Sequence, residues 1–289
     1  MTLTQTITLL DAAPTLSEEL RAKHDALKGI LRAMGRVLVA FSGGVDSALV
    51  LKVAADVLGD DALGVTAVSP SLPAAEREET AKLAREIGAR HLFIETNELD
   101  RPEYRANDAL RCYFCKDTLY TDLTAYAREH GFNAILDGAN LDDRGDYRPG
   151  RKAAAEHQVR SPLAEAGFTK ADVRALARHL GLRVWNKPAA ACLSSRVPYG
   201  TPVSPTILRQ IDRAESGLHA LGFEAVRVRH HGDVARIEVP PDRLEDVMAQ
   251  RETVIEAVRS AGYTFVALDL EGYRTGSLNA ALKSKRLDQ

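Results

Sequence analysis

The sequence predicts an α/β protein, a parallel sheet with helices on both faces followed by a smaller α+β unit. Three observations carry this. Short apolar runs suited to buried strands recur at 36–41, 63–68, 91–94 and 134–137, separated by stretches long enough for one helical crossover each. A glycine-rich hexad, Ser42-Gly43-Gly44-Val45-Asp46-Ser47, stands between the first run and its helix. After about residue 200 the rhythm changes to two alternating runs joined by a Gly-Asp turn.

The elements follow in order. Leu16 to Met34 has helical spacing, with Ser17 as N-cap and Glu18 and Glu19 in the first turn. It leads into the strand Arg36 to Phe41. The helix after the hexad runs to about Leu58 and stops at Gly59; Leu63 to Val68 is a buried strand. Glu76 to Gly88 is a helix, His91 to Ile94 a strand, Cys112 to His130 a helix and Ala134 to Asp137 a strand. Ligands of such sheets bind beyond the carboxyl ends of the strands, here residues 42–47, 68–71 and 137–140. Ser204 to Leu221 is a helix, and the strands 225–230 and 235–239 flank the turn Gly232-Asp233. Leu244 to Gly262 is helical and Thr264 to Leu268 is a last strand. The stretch from Asn186 to Pro205, rich in Ala, Ser, Pro and Gly, is a loop that joins the units and carries function. The expected domains are residues 1–190 and 191–289.

Composition narrows the function. The 289 residues are 45% hydrophobic and 27% charged, an ordinary globular balance. Lysines and arginines number 38 against 40 acids, so there is no global electrostatic case for a nucleic-acid partner. Thr2 to Leu10 lacks a basic leader and a long apolar core, which argues against a secretion signal or a membrane span and for a cytoplasmic protein. In a reducing compartment the three cysteines are reactive or metal-bound rather than bridged.

Two glycines with hydroxyl neighbours let the hexad turn tightly and aim several N–H groups at one anion, while Ser47 and the helix start add to the attraction. Phosphate belongs there. The hexad lacks the Lys of a Walker A loop and is similar to the SGGxDS pyrophosphate loop of ATP pyrophosphatases. Such chemistry needs an acid for Mg²⁺ on the phosphates; Asp46 is nearest and Asp137 is second, with Gly138 allowing close approach. For each Asp the plainer role is a helix or turn cap, and the dense loop Asp142 to Gly150 reads equally as a solvated turn. The stretch Asn186 to Gly200 presents the thiol of Cys192 beside Ser194, Ser195 and Arg196, a set that suits a phosphate monoester. Arg227 and Arg229 share one strand face, with a solvent-facing edge as the alternative. Asp233 and Glu238, near the turn of the second unit, read as surface charge in preference to a cation site.

The hexad, the run Leu136-Asp137-Gly138 with Asp146-Tyr147-Arg148-Pro149-Gly150, the Cys192 loop through Gly200, and Val226 to Arg229 with Ala235 to Glu238 together resemble the LarE family of ATP-dependent sulfur transferases, over about residues 17–280. The resemblance implies a PP-loop ATP pyrophosphatase domain of the adenine nucleotide alpha hydrolase type, followed by a substrate-binding and oligomerisation domain. It implies a nicotinate-derived mononucleotide substrate whose carboxylates are adenylated by ATP and then converted to thiocarboxylates for the nickel-pincer cofactor of lactate racemase. Ser42, Gly43, Gly44, Asp46, Ser47, Asp137 and Gly138 would serve ATP and Mg²⁺; Ser194, Ser195, Arg196, Arg227 and Arg229 would hold the mononucleotide near Cys192. Arg196 beside Cys192 would favour its thiolate. The family also implies a homo-oligomer, a hexamer.

The sulfur source has alternatives. In one branch of the family a single cysteine in this loop surrenders its sulfur and becomes dehydroalanine. This chain adds Arg111-Cys112-Tyr113-Phe114-Cys115-Lys116, and other members with three cysteines carry a [4Fe–4S] cluster whose fourth iron is free for hydrosulfide. A cluster on Cys112, Cys115 and Cys192 is the favoured expectation over a sacrificial Cys192. A redox pair, two buried helix cysteines, or zinc with His91 or His157 are the remaining readings. A tRNA thiolase and a non-catalytic nucleotide sensor are the competing functions.

Overall fold

The computed structural model describes residues 16–145, 149–188 and 191–274. The expectations for Thr2–Leu10 and for Asp146, Tyr147 and Arg148 lie outside the described residues. In chain order the elements are α1 (Glu18–Met34), β1 (Val37–Ala40), α2 (Val45–Leu58), β2 (Ala62–Val68), α3 (Ala74–Ile87), β3 (Arg90–Glu95), α4 (Pro102–Arg105), α5 (Arg111–His130), β4 (Ala134–Leu136), α6 (Pro149–Glu156), α7 (Pro162–Glu165) and α8 (Lys170–His179). The second unit has α9 (Pro205–Ala220), β5 (Arg227–His231), β6 (Val234–Glu238), α10 (Leu244–Ala249), α11 (Arg251–Ser260) and β7 (Phe265–Leu268).

The first sheet is wholly parallel, in the order β3-β2-β1-β4, as the predicted fold class requires. Period-two alternation divides the burial. Val37 and Val39 face a core built with α1, α2, α3 and α8, whereas Leu38 faces one built with α5 and α6. Ser17 caps α1 by accepting the Leu20 N–H at 3.2 Å. From β1 the chain winds outward through β2 to β3 and then crosses back to β4 on the other side of β1. That reversal opens a crevice at the carboxyl ends of β1 and β4, bounded by residues 42–47 and 137–140.

The second sheet pairs β5 with β6 antiparallel and β6 with β7 parallel, over a core shared with α9 and α11. Helix α9 packs twice. Ala214 and Leu218 face the second sheet, while Leu208 and Ile211 meet Tyr104, Leu193, Val197 and Val203 in a separate cluster that joins the two units. Two expectations are corrected. The helix expected over 244–262 divides at Gln250 (φ −103°, ψ 20°), whose N–H still bonds Asp246 and whose carbonyl still receives Val254, so both halves stay satisfied. Glu238 is not surface charge: it is fully buried in an ion pair with Arg229.

Candidate active site

The phosphate loop is closed by its own hydroxyls. Ser47 donates to the Gly44 carbonyl at 3.1 Å and accepts the Ser42 N–H at 3.2 Å, with the two hydroxyl oxygens 3.2 Å apart. Gly43 takes φ +72°, and a Cβ there would stand 2.5 Å from Thr80 on α3. Gly138 is pressed against the start of α2: a Cβ would stand 2.7 Å from the Ser47 nitrogen, so strand β4 reaches the loop only as glycine.

The two candidate acids are differently employed. Asp137 closes its own turn, accepting Ala139 N–H at 3.1 Å and the Ser161 hydroxyl at 2.7 Å. Asp46 accepts from the Asn140 amide at 3.1 Å and pairs with Lys170 at 2.5 Å. Sequence reading does not find Lys170, because it lies on α8 and no motif marks it. The fold thus brings to the loop a cation that its own six residues lack.

The thiols come from two segments. Arg111, Cys112, Cys115 and Lys116 form the first turns of α5, where spacings of three and four share one face. Cys192 precedes a tight turn at Leu193–Arg196. Leu193 N–H bonds the Ser71 carbonyl at 2.9 Å, which ties that turn to the loop beyond β2 and hence to the carboxyl edge of the sheet. A buried clamp fixes it from the other side. Tyr104 meets the Ser194 hydroxyl at 2.6 Å, Arg111 donates to the Ser194 carbonyl at 2.7 Å, and Asn107 donates to Pro198 and Thr201 carbonyls at 2.8 and 2.9 Å. Asn107 sits at φ +54°, a left-handed position that Asn tolerates.

Burial pushes the Cys115 thiol up to about 12, and the neighbouring Glu98 and Cys192 act in the same direction. Glu98, itself buried, accepts from Ser69, Ser71 and Thr96 at 2.5, 2.8 and 3.0 Å. Cys112 is exposed and Cys192 half-buried. Among the described residues, no three His, Cys, Asp or Glu side chains converge closely enough to hold a metal ion.

The arginines and serines near Cys192 do not all face open space. Ser194 is fully buried against Tyr104, and the Ser195 hydroxyl donates to the Cys192 carbonyl at 2.7 Å. Arg196, buried, grips Glu215 through two bonds of 2.9 Å, so its charge is already matched. Arg229 pairs with Glu238 at 2.7 Å and donates to the Ser195 carbonyl at 2.8 Å. Arg227 differs. Among the described residues it has no carboxylate partner; it lies over Tyr273 at 5.3 Å, and burial together with Arg196 works against its charge. It opens onto a small cleft between the start of α3, the Cys192 turn and α9, lined also by Glu76, Arg196, Asp212 and His219. Burial raises the Asp212 carboxyl above the usual carboxylate range.

No family model matches the chain. An uncharacterised protein of Synechocystis is 45% identical over 265 residues, 91% of this chain and 99% of that protein. The tRNA-specific 2-thiouridylase of Xanthobacter autotrophicus is 32% identical over 196 residues, 54% of this chain and 50% of that enzyme. The pyridinium-3,5-bisthiocarboxylic acid mononucleotide synthase of Lactiplantibacillus plantarum is 42% identical over 269 residues, 93% of this chain and 98% of that enzyme. At that identity and coverage, with a parallel sheet carrying the Ser42–Ser47 loop, the chain belongs to the LarE family and is a sulfurtransferase of the ATP pyrophosphatase type.

Proposed function

We propose that the chain uses ATP to adenylate the carboxylates of pyridinium-3,5-biscarboxylic acid mononucleotide and replaces each adenylate by sulfur, giving the thiocarboxylates of the nickel-pincer cofactor. The observation that carries this reading is the 2.9 Å bond from Leu193 to Ser71, which holds the thiol-bearing turn at the same sheet edge as the phosphate loop. A carboxylate is a poor electrophile. Its oxygen attacks the α-phosphorus of ATP, pyrophosphate departs into the 42–47 loop, and a sulfur anion then attacks the acyl carbon while AMP leaves with the electron pair.

In this reading Ser42, Gly43, Gly44 and Ser47 cradle the departing pyrophosphate, and Gly138 lets the chain after β4 pass close against the loop. Asp46 holds Mg²⁺, which neutralises phosphate charge when bound; the oxygen donor suits that ion. Lys170, now on Asp46, is the cation that meets the phosphates. Arg227 takes the mononucleotide phosphate in the cleft beside Arg196, while the ion-paired Arg196 and Arg229 hold the Ser194-Ser195 turn.

For the sulfur, three thiols suit a [4Fe–4S] cluster with one open iron, and the meeting of α5 with the Cys192 turn supports it. In the second reading Cys192 gives up its own sulfur. Anaerobic protein that is brown, with iron and labile sulfide, supports the first; colourless protein whose mass falls by one H₂S after turnover supports the second.

The likeness to a thiouridylase spans half the chain, and the near-equal counts of acids and bases favour a small molecule over tRNA. Exchange of labelled pyrophosphate into ATP that depends on the mononucleotide, with no gel shift of bulk tRNA, is the expected result; tRNA-dependent exchange contradicts it. A homo-oligomer, hexameric by resemblance, is proposed with Phe265 and Met248, 59% and 60% exposed, within its contacts. Native mass spectrometry reads the state. A cytoplasmic location is proposed in keeping with the absence, among the described residues, of any helix long and apolar enough to cross a membrane.

A further inference from the structure

Arg111 is 3% exposed, and each of the other two deeply buried arginines, Arg196 and Arg229, has a buried glutamate. Arg111 has none among the described residues. Its guanidinium donates to two neutral oxygens, Asn107 Oδ1 at 2.6 Å and the Ser194 carbonyl at 2.7 Å, and lies 5.8 Å from the centre of the Tyr199 ring. A buried cation without a counter-ion is costly, whereas one that completes itself with an anion is not. The carbonyl it bonds lies in the turn that Cys192 opens, and Cys112 follows it on α5, so the fold sets this cation between two thiol-bearing segments.

We propose that Arg111 is the counter-ion of the transferred sulfur, its guanidinium holding an anionic sulfur at the Cys192 turn for attack on the acyl-adenylate. A wide, weakly hydrated guanidinium suits a large polarisable anion, and Arg111 opens the 20-residue α5, where the helix dipole adds to its charge. Arg111 moves no proton. One C–S bond forms, the C–O bond to AMP breaks, and the negative charge passes from sulfur to AMP. The sulfur is either hydrosulfide, whose product gives its proton to solvent to become the thiocarboxylate, or the Cys192 thiolate, whose thioester then loses its Cα proton to solvent base as the Cβ–S bond breaks, leaving dehydroalanine at 192. This rests on the adenylation and sulfur transfer proposed above.

The test separates the two half-reactions in full-length protein. For Arg111→Gln, which keeps a donor for Ser194 but removes the charge, mononucleotide-dependent ATP–pyrophosphate exchange should stay within about twofold of wild type while single-turnover thiocarboxylate formation falls roughly 100-fold or more. Arg111→Lys, which keeps the charge, should recover transfer to within about tenfold. Repeating the turnover with added sulfide distinguishes the sources: acceleration identifies hydrosulfide, and unchanged rate with loss of H₂S from Cys192 identifies the thiolate. Equal loss of exchange and transfer in Arg111→Gln, or no loss of transfer, overturns the inference. If Arg111→Gln does not fold, Arg111→Lys decides, and failure of transfer with exchange intact overturns it. Absence of exchange in wild type instead overturns the proposed function, and this inference with it.

Discussion

The phosphate loop and the Cys192 turn are built in opposite ways. The backbone of the loop is closed by bonds within Ser42–Ser47, and its outside ties are few: Thr80 close to Gly43, Gly138 at the start of α2, and Asn140 and Lys170 on Asp46. The turn adds to its own bonds a ring of distant partners: Ser71, Tyr104, Asn107 and Arg111 on one side, Glu215 and Arg229 on the other. On the proposed function, the loop serves a constant group, phosphate, as a local cassette, whereas the turn that presents sulfur to the substrate takes its position from the whole fold.

The comparison breaks first at Arg196. Arg196→Met leaves Glu215 buried and unpaired, which should cost about 3–5 kcal/mol in urea unfolding; a loss under about 1 kcal/mol would mean the turn is not held from α9. Asn107→Ala removes donors to Pro198 and Thr201 and should cost about 2–3 kcal/mol by the same measurement, with ATP affinity unchanged. A fall in ATP affinity as large as the fall in stability would mean the two regions are not independent.

Lys170 sharpens the same contrast from the other side. Its pair with Asp46 is partly exposed, 37% and 25%, so Lys170→Met should change stability by less than about 1 kcal/mol. ATP affinity, read by calorimetry, should fall about tenfold or more, since a charge-assisted bond to phosphate is lost. The smallest effect concerns Cys115. With its thiol pushed up to about 12 by burial, the thiolate is scarce at neutral pH, and its alkylation rate should rise about tenfold per pH unit from 7 to 10. A rate that levels off near pH 8 would place Cys115 in a polar, cationic setting instead. The sign for folding follows: the neutral thiol is the form the fold favours, so stability falls as pH climbs from the ordinary thiol range toward 12.

The same distinction explains what the sequence makes legible. The parallel sheet is readable because β1, β2 and α2 have apolar runs and spacing that decide their state locally. Residues 149–180 have no element in that reading, yet fold as helices of 8, 4 and 10 residues, too short for a periodic pattern to stand out. Lys170 lies 124 positions from Asp46, and Tyr104 lies 90 from Ser194, so no window of sequence contains either pair. Arg196 and Arg229 are attractive in sequence because they are cationic beside a thiol and two hydroxyls. Only packing reveals that Glu215 and Glu238 already match their charge while Arg111, next to Cys112, has no carboxylate partner among the described residues.

The most direct test of the account, that one region activates the substrate and the other delivers sulfur to it, is Cys192→Ser assayed for both half-reactions. The account predicts mononucleotide-dependent ATP–pyrophosphate exchange close to wild type and no thiocarboxylate by mass spectrometry. Thiocarboxylate formed at the wild-type rate, or exchange abolished along with it in a folded protein, would contradict it.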